Sequence, residues 1–265
     1  MAILEAEFDS KSLKRTVSFR AILPFERFQP PYPTLYLLHG LTGNSGQWMY
    51  YTRIRALAES TGIAVIMPSG ENSFYLDIPV KDSCLGDFGA YIGQELVDAT
   101  REMFPLSHRR EDTFIGGMSM GGYGALRNGL KYHETFGKIA VFAGAVHFYE
   151  YTRDWVSTHG NVCGELADFG NLDETETTDR NPRVLIQKLQ ALSAADGACR
   201  FPSLYMTCGT GDSLLNANHS LAEALKAAGA EVIWKPVPGN HDFVFCDEQL
   251  PAVLEWLDVH TKQKN

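Results

Sequence analysis

The sequence lacks the features that would direct a protein to a membrane or to nucleic acid. It has 23 lysine and arginine residues against 32 aspartate and glutamate residues, a formal charge of −9, which disfavours binding to nucleic acid or to an anionic membrane surface. Eighteen apolar residues never occur in a row, and residues 1–10 lack the basic segment and apolar core of a secretory signal. We therefore expect a cytoplasmic protein with neither kind of partner.

Cysteine is sparse and irregularly spaced. The five cysteines are odd in number and contain no C-x-x-C pair, so the sequence predicts neither a disulfide framework nor a zinc site. Cys208 lies in an apolar run, and we interpret it as a small buried hydrophobic residue.

Internal repeats and low-complexity tracts are also absent. A chain of 265 residues is long enough for one large α/β domain and too short for two full domains. We therefore predict a single domain over residues 1–265.

Apolar runs alternate with helical patterns along most of the chain. Residues 4–8 and 15–23 have the alternation of an antiparallel hairpin, and from residue 34 onward strands and helices alternate as in parallel crossover units. The later predicted strands are 34–38, 63–67, 113–117, 138–143, 203–208 and 231–237. The predicted helices are 46–61, 86–104, 121–131, 182–195, 217–228 and 248–260.

The peptide Gly117-Met118-Ser119-Met120-Gly121 lies between a predicted strand and a predicted helix. This G-x-S-x-G pattern is typical of a nucleophile elbow, a sharp turn that exposes the serine hydroxyl above the end of a strand. A side chain at either flanking glycine would collide with the neighbouring strand or helix. The pattern therefore predicts Ser119 as the nucleophile of a hydrolase.

The order of elements is that of an α/β-hydrolase fold. It predicts an eight-stranded, mostly parallel sheet that begins with an antiparallel hairpin and carries the serine after its fifth strand. The gap between the sixth and seventh strands, at about residues 145–202, is far longer than an ordinary crossover. We interpret it as a small lid insertion within the domain.

A serine nucleophile needs a histidine base that is oriented by a carboxylate, and in this fold the chain order is serine, acid, histidine. His241 lies in the loop after the last strand, whereas His260 lies at the end of the last helix. Asp212 follows the seventh strand. Asp242 is disfavoured as the acid because it adjoins His241 and cannot easily reach the far imidazole nitrogen. The predicted triad is Ser119, Asp212 and His241.

Acyl transfer also needs donors aimed at the developing oxyanion. We expect one from the backbone N–H of Met120, which follows the nucleophile, and one from that of Leu41, in the glycine-containing loop after the third strand. His39 lies in the same loop but precedes the serine, and we interpret it as a support of the loop.

Bulky side chains are expected around the serine. Met118 adjoins it, and Trp48, Phe74 and Tyr75 follow strand ends at the same edge of the sheet. We predict that these four line a small substrate pocket that selects acyl chains of roughly two to four carbons. The alternative is that the aromatic residues belong to the core.

Several motifs together resemble those of the esterase D-like α/β hydrolases, and most of all their tributyrin esterase branch. The resemblance covers nearly the whole chain from Leu35 to the last predicted helix. It rests on five segments, LHGLTGN at 38–44, SFYLD at 73–77, QEL at 94–96, GMSMGGYG at 117–124 and CGTGD at 208–212.

The resemblance implies a cytoplasmic serine esterase that cleaves small short-chain acyl esters, acetyl to butyryl, through an acyl-enzyme. It implies no metal and no cofactor, and it implies a homo-oligomer. An acyltransferase or an S-formylglutathione-type thioesterase with the same triad is the alternative, although S-formylglutathione hydrolases carry a cysteine-containing loop where this chain has Gly43 and Asn44. A non-catalytic binding module of the same fold is disfavoured by the intact triad.

Overall fold

The computed structural model describes residues 1–78, 84–147, 172–173, 175–198 and 200–257. Ten strands occur in these ranges. They are β1 (Ala2–Ser10), β2 (Arg15–Leu23), β3 (Thr34–Leu38), β4 (Ala64–Pro68), β5 (Asp77–Ile78), β6 (Gly86–Asp87), β7 (Thr113–Met118), β8 (Lys138–Phe142), β9 (Ser203–Gly209) and β10 (Val232–Val237).

The helices of the described ranges fall between these strands. They are α1 (Gln47–Tyr51), α2 (Ile54–Thr61), α3 (Phe88–Ala90), a π-helical turn (Tyr91–Glu95), α4 (Leu96–Met103), a 3-10 turn (Arg110–Asp112), α5 (Met120–Lys131), α6 (Pro182–Asp196), α7 (Leu215–Ala227) and α8 (Phe243–Leu257). None of the helices in these ranges is long and apolar enough to cross a membrane.

Eight strands form one sheet in the order β1-β2-β4-β3-β7-β8-β9-β10, and β5 and β6 form a separate hairpin. The first two strands are antiparallel to each other, and β2 is antiparallel to β4. The remaining pairs, from β4 to β10, are parallel. This is the predicted α/β-hydrolase fold, and it brings the carboxyl ends of β3, β7, β8, β9 and β10 to one edge of the sheet.

The core lies on both faces of this sheet because side chains alternate along each strand. In β3, Tyr36 and Leu38 belong to a cluster with α4, α5, α6 and α7. Leu35 and Leu37 belong to a second cluster with α1, α2 and α8. All five residues of this strand are buried, and burial of each large apolar side chain stabilises the fold by about 1.5–3 kcal/mol. Cys208 is fully buried in the second cluster, as predicted.

The helix predicted over 46–61 is interrupted. Thr52 adopts an extended conformation between α1 and α2, and its hydroxyl donates to the Trp48 carbonyl and accepts from the Ile54 N–H. The Arg53 N–H donates to Asp247 Oδ1 at 2.7 Å, so a residue on α8 fixes the break.

Three other helices begin two or more residues from their predicted starts, among them the helix predicted from 217, which begins at Leu215. The helix expected from residue 86 begins at Phe88, because Gly86 and Asp87 pair with β5. The last helix begins at Phe243 rather than at residue 248. Asp242 caps it, since its Oδ1 accepts a hydrogen bond from the Phe245 N–H at 2.9 Å.

The proposed lid insertion is described only in part. Within 145–202, residues 148–171, 174 and 199 lie outside the described ranges. Helix α6 occupies the second half of the segment, and the Asn181 side chain caps it by accepting a hydrogen bond from the Arg183 N–H at 3.0 Å. The N-terminal side of α6 is thus fixed by local contacts.

Candidate active site

Ser119 lies at the junction of β7 and α5, in a conformation that L-residues rarely adopt, with φ of 57° and ψ of −117°. Its N–H donates to the Phe142 carbonyl and its own carbonyl accepts from the Ala145 N–H. A Cβ at Gly117 would lie 2.5 Å from the Gly121 carbonyl oxygen, and a Cβ at Gly121 would overlap the backbone of the neighbouring strand. Both glycines are therefore required by the close approach that positions the serine.

The three predicted triad residues are hydrogen bonded in series. His241 Nε2 lies 2.9 Å from Ser119 Oγ, and His241 Nδ1 lies 2.7 Å from Asp212 Oδ2. The second carboxylate oxygen of Asp212 accepts from the Leu214 N–H at 2.8 Å. When the imidazole proton is on Nδ1 and is shared with the buried carboxylate, Nε2 is free to accept the serine proton.

The loops that carry the acid and the histidine are packed directly against each other. The Gly211 N–H donates to the Gly239 carbonyl at 2.9 Å, and the Thr210 N–H donates to the Val237 carbonyl at 2.8 Å. A Cβ at Gly211 would lie 2.5 Å from Asn240 Oδ1. The Asn240 side chain would have to move, whereas a Cβ at Gly209 would overlap the Gly239 carbonyl oxygen of the histidine loop, so Gly209 is the glycine that this close approach requires.

Asn218 on α7 connects the acid loop to the loop that follows β8. Its side chain is fully buried and donates both to the Gly144 carbonyl at 2.8 Å and to the Leu214 carbonyl at 2.9 Å. Its Oδ1 accepts from the Gly144 N–H at 3.2 Å. Ala145 follows Gly144, and its N–H binds the Ser119 carbonyl. The Asn218 amide therefore links the loop that holds the nucleophile to the loop that holds the acid. Sequence reasoning missed it, since an asparagine inside a helix carries no local signal of such a role.

The loop after β3 passes beside the nucleophile. A Cβ at Gly40 would lie 3.7 Å from Ser119 Cβ, the Gly40 N–H donates to Gln47 Oε1 at 3.0 Å, and the Thr42 N–H donates to Asn72 Oδ1 at 2.8 Å. These bonds fix the loop that contains Leu41.

The two amides expected to bind an oxyanion have no acceptor within the described residues. The Met120 N–H is at the first position of α5, where helix amides have no intrahelical partner, and the Leu41 N–H donates to no group of the described chain. Met120 directly follows Ser119, and Leu41 directly follows Gly40, whose added Cβ would lie 3.7 Å from Ser119 Cβ, so the positive end of α5 and a loop amide both lie near the nucleophile.

His39 supports this loop, as the sequence indicated. Its Nδ1–H donates to the Gly40 carbonyl at 2.7 Å, and its Nε2 accepts from the Gly70 N–H at 2.8 Å. Burial lowers the pKa of His39 to about 4, although the hydrogen bond to the Gly40 carbonyl opposes part of this shift. The imidazole is therefore neutral near pH 7 and joins two loops.

Two of the predicted pocket residues lie in the core instead. Trp48 is 1% exposed, and its Nε1–H donates to the Leu38 carbonyl at 2.9 Å. Tyr75 is fully buried, and its hydroxyl donates to the His39 carbonyl at 3.0 Å. Each ring is buried and its polar atom donates to a carbonyl at or next to the end of β3, which favours the core interpretation, and a role of either ring in a substrate pocket stays a prediction.

Phe74 and Met118 are also buried, at 3% and 5% exposure. The Phe74 ring packs against Tyr123, with centroids 6.0 Å apart, and Met118 belongs to the second core cluster. The three aromatic residues therefore fit the alternative interpretation as core residues. Neither they nor Met118 line the cavity beside the acid loop.

A cavity of about 490 Å³ lies beside the acid loop. Its wall begins with Ser213 and Leu214, directly after Asp212, and with Val146, directly after Ala145. The other lining residues are His147, Arg183, Asn216, Ala217, Ser220 and Leu221. Sequence reasoning found none of them, because a cavity between a helix and two loops has no periodic pattern.

An ion network with one fully buried member, Arg127, lies along α5. Arg127 on α5 is 1% exposed and contacts Asp77 at 3.0 Å and Asp179 at 2.7 Å, while Lys131 contacts the same two carboxylates at 2.7 and 2.8 Å. Burial by itself raises the pKa of Asp179, but the charges of Arg127 and Lys131 outweigh that effect and hold it at about 2. The network attaches the segment before α6 to the helix that starts at the nucleophile.

Comparisons with known proteins agree with this arrangement. A sequence model of the family described as "Putative esterase" matches residues 10–257. An acetyl esterase of Caldicellulosiruptor saccharolyticus is 37% identical over 97% of this chain and 98% of its own length. A substrate-bound fluorophosphonate-binding serine hydrolase of Staphylococcus aureus superposes with a TM-score of 0.81 and 27% identity, covering 97% of this chain and 98% of that chain. The S-formylglutathione hydrolase of the same organism superposes with a TM-score of 0.80 and 27% identity, covering 97% of this chain and 98% of that chain.

The fold and these relatives define a serine hydrolase of the α/β-hydrolase class. The chain belongs to the esterase family that the sequence model describes. It is a carboxylic ester hydrolase that acts on small-molecule esters, in agreement with the resemblance noted from its motifs.

Proposed function

We propose that Ser119, His241 and Asp212 are the catalytic triad of an esterase that hydrolyses short-chain acyl esters, acetyl to butyryl. The observation that carries this proposal is the hydrogen-bonded series from Ser119 Oγ through His241 to Asp212, at 2.9 and 2.7 Å. It begins at a residue held in a strained elbow conformation with φ of 57°, which is expected where a nucleophile is presented above a sheet.

The geometry supports a two-step reaction. Ser119 Oγ attacks the acyl carbon as its proton passes to His241 Nε2, and the Leu41 and Met120 amides donate to the oxyanion. His241 then gives the proton to the alcohol oxygen as the ester C–O bond breaks. Water attacks the acyl-enzyme with the same base, which releases the acid and restores the serine.

Selection for short acyl chains is supported by two observations. Met118 and Met120, on either side of Ser119, are buried, so the space below the nucleophile is already filled by the core. The relative that is 37% identical over nearly its full length is described as an acetyl esterase. The comparisons do not favour the acyltransferase or thioesterase alternatives, since the acetyl esterase is 37% identical to this chain and the S-formylglutathione hydrolase 27%.

Replacement of the nucleophile tests the triad. In Ser119→Ala, turnover of an acetate ester should fall by about 10⁴- to 10⁶-fold, because triad members act as a unit. Ser60→Ala, an exposed serine on α2, is the matched control and should retain full turnover. A fluorophosphonate should modify Ser119 in the wild-type protein, as located by mass spectrometry. Wild-type turnover in Ser119→Ala would remove Ser119 from the mechanism.

An ester series tests the acyl selectivity. With 4-nitrophenyl esters from acetate to dodecanoate, kcat/KM should rise or hold as far as butyrate and then fall, since each methylene contributes about 0.8 kcal/mol only while space remains. A value of kcat/KM that still climbs from butyrate to dodecanoate would contradict the proposal.

We also propose a cytoplasmic location and self-association. Cys84, Cys208 and Cys246 are free thiols in the described chain, which suits a reducing compartment. The edge strand β1 exposes Ile3 and Leu4, and such an edge is available to a second copy. Cell fractionation tests the first proposal, and light scattering after size-exclusion chromatography tests the second.

A further inference from the structure

The cavity beside the acid loop is larger than the proposed acyl group needs. At about 490 Å³ it falls in the range of sites that hold drug-sized ligands, about 300–1,000 Å³. A chain of two to four carbons would fill only a small part of that space. If the acyl group is short, as proposed above, the cavity has room for the alcohol portion of the ester.

The position of the cavity agrees with that assignment. Its wall includes Ser213 and Leu214, the two residues that follow Asp212, and Val146, next to the Ala145 that binds the Ser119 carbonyl. The cavity therefore lies on the β8 and β9 side of the nucleophile, whereas the loop with the oxyanion donors lies on the β3 side. The lining includes none of the triad residues, so an alcohol that extends away from the oxyanion loop would reach the cavity past the residues next to Asp212 and Ala145.

The charge of the cavity is opposite to that of the chain. The protein carries a formal charge of −9, yet the nine residues described as lining the cavity include Arg183 and neither aspartate nor glutamate. Arg127, in contrast, is paired with two carboxylates. The one hydrogen bond of the Arg183 guanidinium within the described residues goes to Ser220 Oγ at 2.8 Å, so its charge has no counter-ion there.

The remaining lining residues include both polar and apolar side chains. Ser213, Asn216 and Ser220 are exposed and offer hydroxyl and amide donors. Val146 and Leu221 are each 2% exposed and contribute apolar surface to the lining. This combination suits a ligand with an apolar body and a negatively charged end, because a guanidinium with adjacent donors binds carboxylate or phosphate oxygens in charge-assisted hydrogen bonds.

We propose that this cavity is the alcohol subsite and that Arg183 selects esters whose alcohol portion carries an anionic group. The proposal rests on the esterase function proposed above. Arg183 contacts the substrate outside the scissile bond, and it is a specificity-determining residue rather than a member of the triad. Carboxylate and phosphate are the two sources of the charge, and the test separates them.

The test compares matched acetate esters. The carboxylate substrate is 4-acetoxybenzoate, its neutral partner is methyl 4-acetoxybenzoate, and the phosphate substrate is 4-acetoxyphenyl phosphate. The measured quantity is the ratio of kcat/KM for each anionic ester to that for the neutral ester. Because intrinsic ester reactivity is the same for every variant, a change in this ratio reports binding in the cavity.

In Arg183→Gln the ratio should fall about 10- to 100-fold, the effect of removing one charge-assisted hydrogen bond. Arg183→Lys keeps the charge and should retain part of the ratio. Arg55→Gln, an exposed arginine on α2 at the opposite face of the sheet, is the matched control and should leave the ratio unchanged. The anionic ester whose ratio falls more identifies the group that the site prefers.

The proposal is overturned if Arg183→Gln, with a wild-type melting temperature, changes the ratio no more than Arg55→Gln does for both anionic esters. Binding measured in Ser119→Ala separates this outcome from failure of the esterase mechanism. Calorimetry with 4-hydroxybenzoate and with 4-hydroxyphenyl phosphate should show 10- to 100-fold weaker binding of one or both when Arg183→Gln is added. Equal affinity with and without Arg183 for both compounds would refute the subsite even if Ser119 is the nucleophile.

Discussion

Asp212 and Asp242 are two carboxylates near one imidazole, and the structure gives them different contacts. Asp212 reaches His241 Nδ1 from the loop after β9. Asp242, although adjacent to the histidine in sequence, turns away and accepts a hydrogen bond from the Phe245 N–H. The first contact orients an imidazole, and the second begins a helix.

This difference predicts unlike effects for the same substitution. Asp212→Asn should lower kcat for an acetate ester by about 10⁴-fold, because the amide no longer stabilises the tautomer and the imidazolium that catalysis needs. Asp242→Asn should leave kcat within a few-fold, since asparagine also caps helices. Steady-state kinetics on both variants, with circular dichroism to verify folding, measure this. A larger loss in Asp242→Asn would reverse the proposed roles.

The order of residues along the chain was sufficient to bring Ser119, Asp212 and His241 together, because each follows a strand that the hydrophobic pattern reveals. The pocket was not predictable in the same way. Trp48 and Tyr75 also follow strand ends, but whether a ring points toward the substrate or toward the core depends on distant partners such as the Leu38 and His39 carbonyls. The position of a residue in the sequence predicts that it lies at the edge of the sheet, but it does not predict the direction in which its side chain points.

At the scale of elements, the ion network attaches α5 to the segment before α6. Asp179 contributes stability because its folded pKa, about 2, lies below its reference value of 3.8. That contribution is fully present above about pH 4 and is lost as the pH falls toward 2. Acid therefore releases this attachment while the carboxylate takes up a proton.

Asp179→Asn should lower the free energy of unfolding at pH 7 by on the order of 1–2 kcal/mol, a value reduced for the partial exposure of the carboxylate. The difference between wild type and variant should stay constant from pH 7 to about pH 5 and shrink below about pH 4. Urea denaturation at several pH values measures it. A difference that grows as the pH falls would contradict the sign of the pKa shift.

The break between α1 and α2 shows why some element boundaries were missed. The sequence around Thr52 contains neither glycine nor proline, so nothing local interrupts the predicted helix. The break is fixed by Asp247, which binds Arg53 from 194 positions away. The eight-stranded sheet, in contrast, was predictable because its first two strands alternate in polarity and most of its other strands are short apolar runs, and both patterns can be recognised within a few residues.

For the molecule as a whole, His39 makes the free energy of unfolding depend on pH at values above the pKa of a carboxylate such as Asp179. Its folded pKa of about 4 lies below the reference value of 6.5, so between these values the unfolded chain binds a proton that the folded chain does not. The free energy of unfolding should therefore fall as the pH decreases from 6.5 to 4, by on the order of 3 kcal/mol.

The control is His39→Gln, whose amide can donate to Gly40 and accept from Gly70 without titrating. The variant should lose this pH dependence between 6.5 and 4 while retaining any dependence at lower pH. If the free energy of unfolding falls equally with decreasing pH in wild type and variant, a group other than His39 is responsible.

The arrangement of the site along the sheet has a consequence for inactivation. Ser119 follows the central strand β7, whereas His241 follows β10, an edge strand in which no residue is buried. Edge elements open at lower free energy than central ones, and the end of β10 is held to the acid loop by the Thr210 N–H on the Val237 carbonyl and the Gly211 N–H on the Gly239 carbonyl. Fraying of β10 would move His241 away from Ser119 and leave Ser119 and the loop after β3 in place. Hydrogen exchange of β10 amides, followed with activity during mild heating, reports this event. The warmed protein would then still bind an ester but could no longer hydrolyse it.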